Sequence, residues 1–155
     1  MRHFWSRLLT RLEGGREALR AADRRLLVEM IVFASAVPLL MRLNLARVQR
    51  ILEWRRRETT ITAETLERIV GHFHLARRIA SPLVGSGCLT RGITLYYFLT
   101  RAGADVSLCF GMGIVDGEYL GHCWLTRMGA PFLEGRDPRL HYTKVFSIPE
   151  DVARL

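Results

Sequence analysis

The chain has 155 residues, 49% of them hydrophobic and 25% charged, which are ordinary proportions for one compact globular domain. Disordered, collagen-like and low-complexity classes are excluded. The net charge of +8 is uneven: residues 1–57 carry 13 arginines against five acids, whereas residues 58–155 carry ten basic and ten acidic residues. Three cysteines (Cys88, Cys109, Cys123) make an odd number without framework spacing, so a reducing cytosol fits better than a disulfide-stapled secreted domain. The first 20 residues lack the apolar core of a signal peptide. A cytoplasmic protein is expected.

The basic third reads as helical. Phe4, Leu8, Leu12 and Leu19 fall near helical spacing over residues 4–25, with Gly14-Gly15 bending or breaking the stretch. Leu26 to Met41 is an apolar run of sixteen residues containing Glu29 and Pro38. A membrane span needs about 20 apolar residues, so a buried helix kinked or ended near Pro38 is the expectation. Contact with a membrane surface through the flanking arginines is the sharper alternative. Leu43, Leu45, Val48, Ile51, Leu52 and Trp54 form a further helix running into Arg55-Arg56-Arg57, a solvated end or a seat for an acidic peptide. There is no helix-turn-helix spacing, metal finger or aromatic-basic strand motif, so nucleic acid is not an expected partner. Residues 1–60 form the basic helical region, and residues 61–155 form the remainder.

That remainder reads as helix, helix, then strands, an α+β arrangement. Thr62 is placed to cap a helix whose apolar face is Leu66, Ile69, Val70, Phe73 and Ala76, ending at Ser81-Pro82. His72 and His74 point to different sides of it and are expected to be structural or exposed. A second helix starts at Cys88, buries Leu89, Ile93, Tyr96, Tyr97 and Phe98, and stops at Gly103. Asp105 to Val115 then alternates as a strand. Asp116-Gly117 is a two-residue hairpin signal, and Tyr119 to Thr126 is the returning strand. Ala130 to Glu134 and Tyr142 to Ile148 complete a small antiparallel sheet.

The hairpin sets a register. With residues 116–117 as the loop, 111 pairs with 122, which puts His122 on one face with Cys109, Gly111, Gly113, Leu120 and Trp124. The small residues on that face leave room for close approach. A three-residue turn over 127–129 pairs 122 with 134 and sets Glu134 beside His122.

Cys88, His122 and Glu134 are therefore the candidate reacting groups. A cysteine at a helix start is favoured as thiolate by the exposed backbone amides. A histidine on a neighbouring strand moves the proton, and a carboxylate beside it holds the tautomer. Each residue also has a plain reading as a buried hydrophobe or a satisfied core group. Cys109 and Cys123, among Leu108, Phe110 and Trp124, read as core. Residues 122 and 123 face opposite ways and no C-x-x-C pair occurs, so neither metal nor cofactor is expected.

Two segments carry a family resemblance. Cys88-Leu89-Thr90-Arg91-Gly92-Ile93-Thr94-Leu95, followed by Arg101-Ala102-Gly103-Ala104, resembles the nucleophile helix of the leader peptidases of lasso-peptide biosynthesis, which are transglutaminase-like cysteine proteases. Gly121-His122-Cys123-Trp124-Leu125 resembles their His-Ala-Trp-Val box, with Cys123 in place of alanine. The helical N-terminal sequence is similar as well. The resemblance implies a transglutaminase/papain-like core over residues 61–155, with the nucleophile helix packed on a small antiparallel sheet. It also implies a triad of Cys88, His122 and an acid beyond the His box, which is Glu134, with Asp137 as the fallback. Arg91 is expected to orient substrate, to brace the loop or to make a structural salt bridge, and Trp124 to shield the dyad or to pack under it. Residues 80–87 contain no Gln or Asn to serve the oxyanion, which leaves backbone amides for that task.

The activity implied is removal of the leader from a ribosomally made lasso precursor peptide. The partners implied are that precursor, a separate leader-binding protein and an asparagine-synthetase-like cyclase, since the first 60 residues show no β-hairpin pattern of a fused leader-binding domain. Two readings from other classes remain. One is acyl transfer by the same triad. The other is a non-catalytic, membrane-peripheral module that presents the precursor.

Overall fold

The computed structural model describes residues 21–149 except Arg55, Glu58 and Pro82. The helical reading of residues 4–20, with its Gly14-Gly15 break, lies outside the described residues. Among the described residues four helices precede a four-stranded antiparallel sheet, an α+β architecture.

Helix α1 (Ala21–Leu40) buries Met30, Ala34 and Val37 at helical spacing. Val28, Val32 and Leu39 on its other side are exposed, so the run Leu26–Met41 is a one-sided helix and not the fully buried one its composition suggests. Pro38 lies in the last turn, where its missing N–H removes a bond to the preceding turn, and the helix ends two residues later. Phe33 fastens α1 to the rest by stacking on Tyr97 at 4.1 Å between centroids and meeting Phe98 edge-on at 5.9 Å. Among the described residues no helix is long and apolar enough to cross a membrane.

Helix α2 (Leu45–Glu53) is capped by Asn44, whose side chain accepts from the Arg47 amide, and turns Val48 and Leu52 inward. Helix α3 (Ala63–Ile79) starts as its sequence dictates, with the Thr62 hydroxyl accepting from the Thr65 amide at 3.2 Å. Each such cap is worth about 1 kcal/mol. All five apolar positions expected on its inner face are buried.

Helix α4 (Cys88–Arg101) is the centre of the molecule, with helices on one side and the sheet on the other. Gly103, at φ +91°, ends it in the left-handed turn that a side chain would resist. The chain then returns as β1 (Ser107–Val115), β2 (Glu118–Arg127), β3 (Ala130–Phe132), a short turn of 3₁₀-helix at Pro138–Leu140, and β4 (Thr143–Ile148). The strand order is β3-β2-β1-β4.

The β1–β2 register agrees with the hairpin arithmetic: Gly111 pairs with His122 and Val115 with Glu118. Asp116 and Gly117 both take positive φ, as a tight two-residue hairpin turn requires. One face of the sheet carries Leu108, Cys123, Leu125 and Ile148 into a single cluster with Phe73, Ile93, Tyr96 and Leu99 of the helices. Met30, Val37, Val48 and Leu52 join the same cluster, so the core runs across residue 60.

The β2–β3 turn differs from expectation. Arg127 pairs with Ala130 and Leu125 with Phe132, so the turn has two residues, Met128 and Gly129, and the register is one residue off the three-residue reading. Pairing stops at Phe132, and Glu134 is not a strand residue.

Candidate active site

Cys88 is the first residue of α4, partly exposed, and Gly87 before it supplies no side-chain cap. A helix start holds backbone N–H groups with no partner inside the helix, and without a capping side chain they remain available to an anion. One turn further on, Gly92 lets α4 sit directly on the sheet. A Cβ placed there would lie 2.7 Å from the Cys123 Sγ and 3.0 Å from a Leu108 methyl. Cys88 occupies the same helix face as Gly92, which brings it to the Cys123 position of β2.

Cys123 is buried and its thiol is pushed far above the ordinary range, first by burial and then by the neighbouring Cys88. It is a protonated core group. Cys109 is also buried, 3.7 Å from the Thr126 hydroxyl. Both readings as core therefore stand. Among the described residues no group of three or more His, Cys, Asp or Glu side chains is placed to hold a metal ion.

His122 lies on β2, one residue before Cys123, and points to the opposite face. Its Nε2 is 3.7 Å from Glu134 Oε2. The other carboxylate oxygen, Oε1, accepts from the Arg91 guanidinium. Glu134 is thus held between a strand histidine and the first turns of the helix that begins with Cys88. It reaches this place by a route the strand arithmetic did not contain. Leu133 takes φ +60°, which ends the strand and redirects the chain, so Glu134 comes to His122 from outside the sheet ladder. The Cys88 thiol is free of any disulfide.

Asp137 is elsewhere. Its carboxylate caps the 3₁₀ turn and grips the Arg139 guanidinium at 2.7 and 3.0 Å, and that arginine holds it below its usual range. Glu134, and not Asp137, is the carboxylate beside His122. Arg91, read from sequence as a group for substrate or loop, has its guanidinium on Glu134. It also lies near His74 of α3, whose imidazole is held below its ordinary pKa by burial first, then by Arg77 and Arg91.

The face with the small residues is not open. Trp124, 1% exposed, lies against Gly111, where a Cβ would come within 2.7 Å of its ring. At Gly113 a Cβ would overlap the His141 carbonyl oxygen. The glycines admit the protein's own indole and the chain entering β4, not a ligand. The consequence is a residue the sequence reading missed: Tyr142, carried in by that close crossing, stacks on the His122 ring at 4.9 Å and 26°. Trp124 lies parallel to the same imidazole at 6.0 Å. Gly111 and Gly113, two apart on the histidine's face, were the signal that a segment crosses there.

A helix-start cysteine and a strand histidine paired to a carboxylate are the group types of nucleophilic acyl chemistry, and Arg91 links that carboxylate to the helix that begins with Cys88. No curated protein and no solved structure matches the chain. A family profile matches residues 27–147, which include Cys88, His122 and Glu134, and by that match the chain belongs to the transglutaminase-like superfamily.

Proposed function

We propose that the chain is a cysteine peptidase that cuts the leader from a ribosomally made lasso precursor peptide, acting with a separate leader-binding protein and ahead of a cyclase. Members of the transglutaminase-like superfamily are typically cysteine-based enzymes, which supports cysteine protease or acyltransferase chemistry at the coarser level. The observation that supports Cys–His–acid chemistry is the His122–Glu134 pair, 3.7 Å apart, tied through Arg91 to the helix that opens with Cys88; the choice of a lasso leader as substrate rests on the resemblance of the Cys88 and His122 segments.

In this mechanism His122 takes the Cys88 proton, and Glu134 fixes its tautomer and steadies the imidazolium. The Cys88 sulfur attacks the scissile carbonyl carbon, and the amides at the α4 start hold the oxyanion. The C–N bond breaks as His122 gives its proton to the leaving amine, which leaves a thioester on Cys88. His122 then takes a proton from water. The hydroxide attacks the thioester, the C–S bond breaks, and the proton returns to the thiolate. The amine product is the new N-terminus of the core peptide.

The test combines the precursor, the leader-binding protein and either wild type or Cys88→Ala, with mass spectrometry of the products. Two fragments from wild type and none from the variant are expected. Equal cleavage by both removes Cys88 from the reaction. An intact precursor that gains the mass of an added amine, less water or ammonia, replaces the peptidase by an acyltransferase.

A further inference from the structure

We propose that Arg91 is the positioning residue for Glu134: it anchors the carboxylate to the same helix that carries Cys88, so that nucleophile and acid move as one body. This rests on the reading of Cys88, His122 and Glu134 as the reacting set.

Glu134 is two residues past the last paired residue of β3, and Leu133 before it takes a left-handed backbone conformation. Strand pairing therefore does not fix its side chain. Yet that side chain is only 11% exposed, and its two oxygens are divided between two partners, Oε1 to Arg91 and Oε2 to His122. Arg91 donates a single N–H, from Nη2, to Oε1, which leaves Oε2 turned to His122. Arg91 stands three residues after Cys88, within one turn of a helix buried along most of its length. The helix start thus sets both the thiol and, through Arg91, the direction of the acid. Arg91 acts on His122 only by way of Glu134. Its guanidinium, already engaged and 26% exposed, is not a free cation for substrate.

The experiment needs no peptide substrate. Cys88 alkylation by iodoacetamide is followed at pH 6 and pH 9, with mass spectrometry to locate the adduct. The proteins are wild type, Arg91→Met, Arg91→Lys, Glu134→Gln, Arg91→Met with Glu134→Gln, and His122→Ala, each checked by thermal melting. A loss confined to pH 6 reads the groups around Cys88, and an equal loss at both values reads the fold. Arg91→Met is expected to slow alkylation about tenfold at pH 6 and less than about twofold at pH 9. Arg91→Lys should recover part of the loss. On the Glu134→Gln background Arg91→Met should add no further loss, the non-additivity of residues acting in series.

A full additional loss on that background overturns the proposal, because Arg91 then acts on Cys88 directly. Equal slowing at both pH values overturns it too, as a merely structural effect. If Arg91→Met does not fold, Arg91→Lys decides: a wild-type rate at pH 6 overturns the proposal. If His122→Ala leaves the pH 6 rate unchanged, the underlying Cys–His reading fails instead. Loss in His122→Ala and Glu134→Gln without loss in Arg91→Met leaves that reading intact and sinks this proposal alone.

Discussion

The two faces of the β1–β2 hairpin are closed by different means. On the helix face, Leu108, Cys123 and Leu125 form an apolar layer against α4, and one glycine, Gly92, sets how near the helix can come. On the other face two glycines of β1 let in backbone and aromatic rings, and a polar histidine stands among them. Apolar packing on the first face tolerates small adjustments, because side chains can shift rotamer. Contact against backbone on the second cannot adjust without moving a strand. The same hairpin is therefore forgiving on its core side and rigid where it holds His122.

The largest expected effect follows from the rigid face. Gly113→Val puts a branched side chain where the His141 carbonyl lies, with no rotamer that avoids it. Destabilisation of at least about 3 kcal/mol is expected, read from urea unfolding. Tyr142 should also leave the His122 ring, which would appear as a change in the histidine's NMR signals under native conditions. A loss below about 1 kcal/mol would mean that the β4 lead-in is not held against Gly113, and the contrast between the faces would collapse.

How much of this was legible in the sequence depended on whether turn chemistry was visible. Asp116-Gly117 suits a tight hairpin, so the pairing of Gly111 with His122 could be counted residue by residue. Met128 and Leu133 also take positive φ, but neither residue type announces it, because both are bulky apolar residues that the left-handed region disfavours. The first of these shortened the β2–β3 turn and shifted its register. The second turned the chain back so that Glu134 still reached His122. Glu134 thus lies beside His122 although the register that suggested it does not exist. Helix α3 was legible down to its cap, since Thr62 and a 3.6-residue apolar repeat are local signals. The buried face of α1 was not, because its run is apolar all round and only tertiary contact selects Met30, Ala34 and Val37.

The forgiving face offers a sharper test with a smaller effect. Gly92→Ala brings a Cβ to 2.7 Å from the Cys123 sulfur and 3.0 Å from Leu108. Alanine gains about 1 kcal/mol in helix propensity over glycine, while overpacking costs about 1–3 kcal/mol, so a net loss of about 1 kcal/mol is expected. Cys123→Ala removes the sulfur that the new methyl meets. The double variant should therefore be at least about as stable as Cys123→Ala alone, measured by urea unfolding as a double-mutant cycle. Simple additivity would show that α4 does not rest on Cys123.

The smallest effect concerns His74, across α4 from the sheet. Burial, then Arg77 and Arg91, disfavour its protonated form, so its folded pKa lies below the unfolded value. Below that unfolded value the unfolded chain binds a proton that the folded one refuses. Stability contributed by the neutral ring is therefore full above about pH 7 and is lost as pH falls through the unfolded value, about 6.5, towards the lowered folded value. His74→Gln should flatten this part of the stability curve between pH 7.5 and 5, compared by urea midpoints. Arg91→Met should flatten it less, since burial outranks the arginines among the causes. Arg91 thus faces two histidines. Through Glu134 it is tied to His122, and by its own charge it disfavours protonation of His74. A slope that survives His74→Gln unchanged would place the proton uptake on another group and leave Arg91 with only its first task.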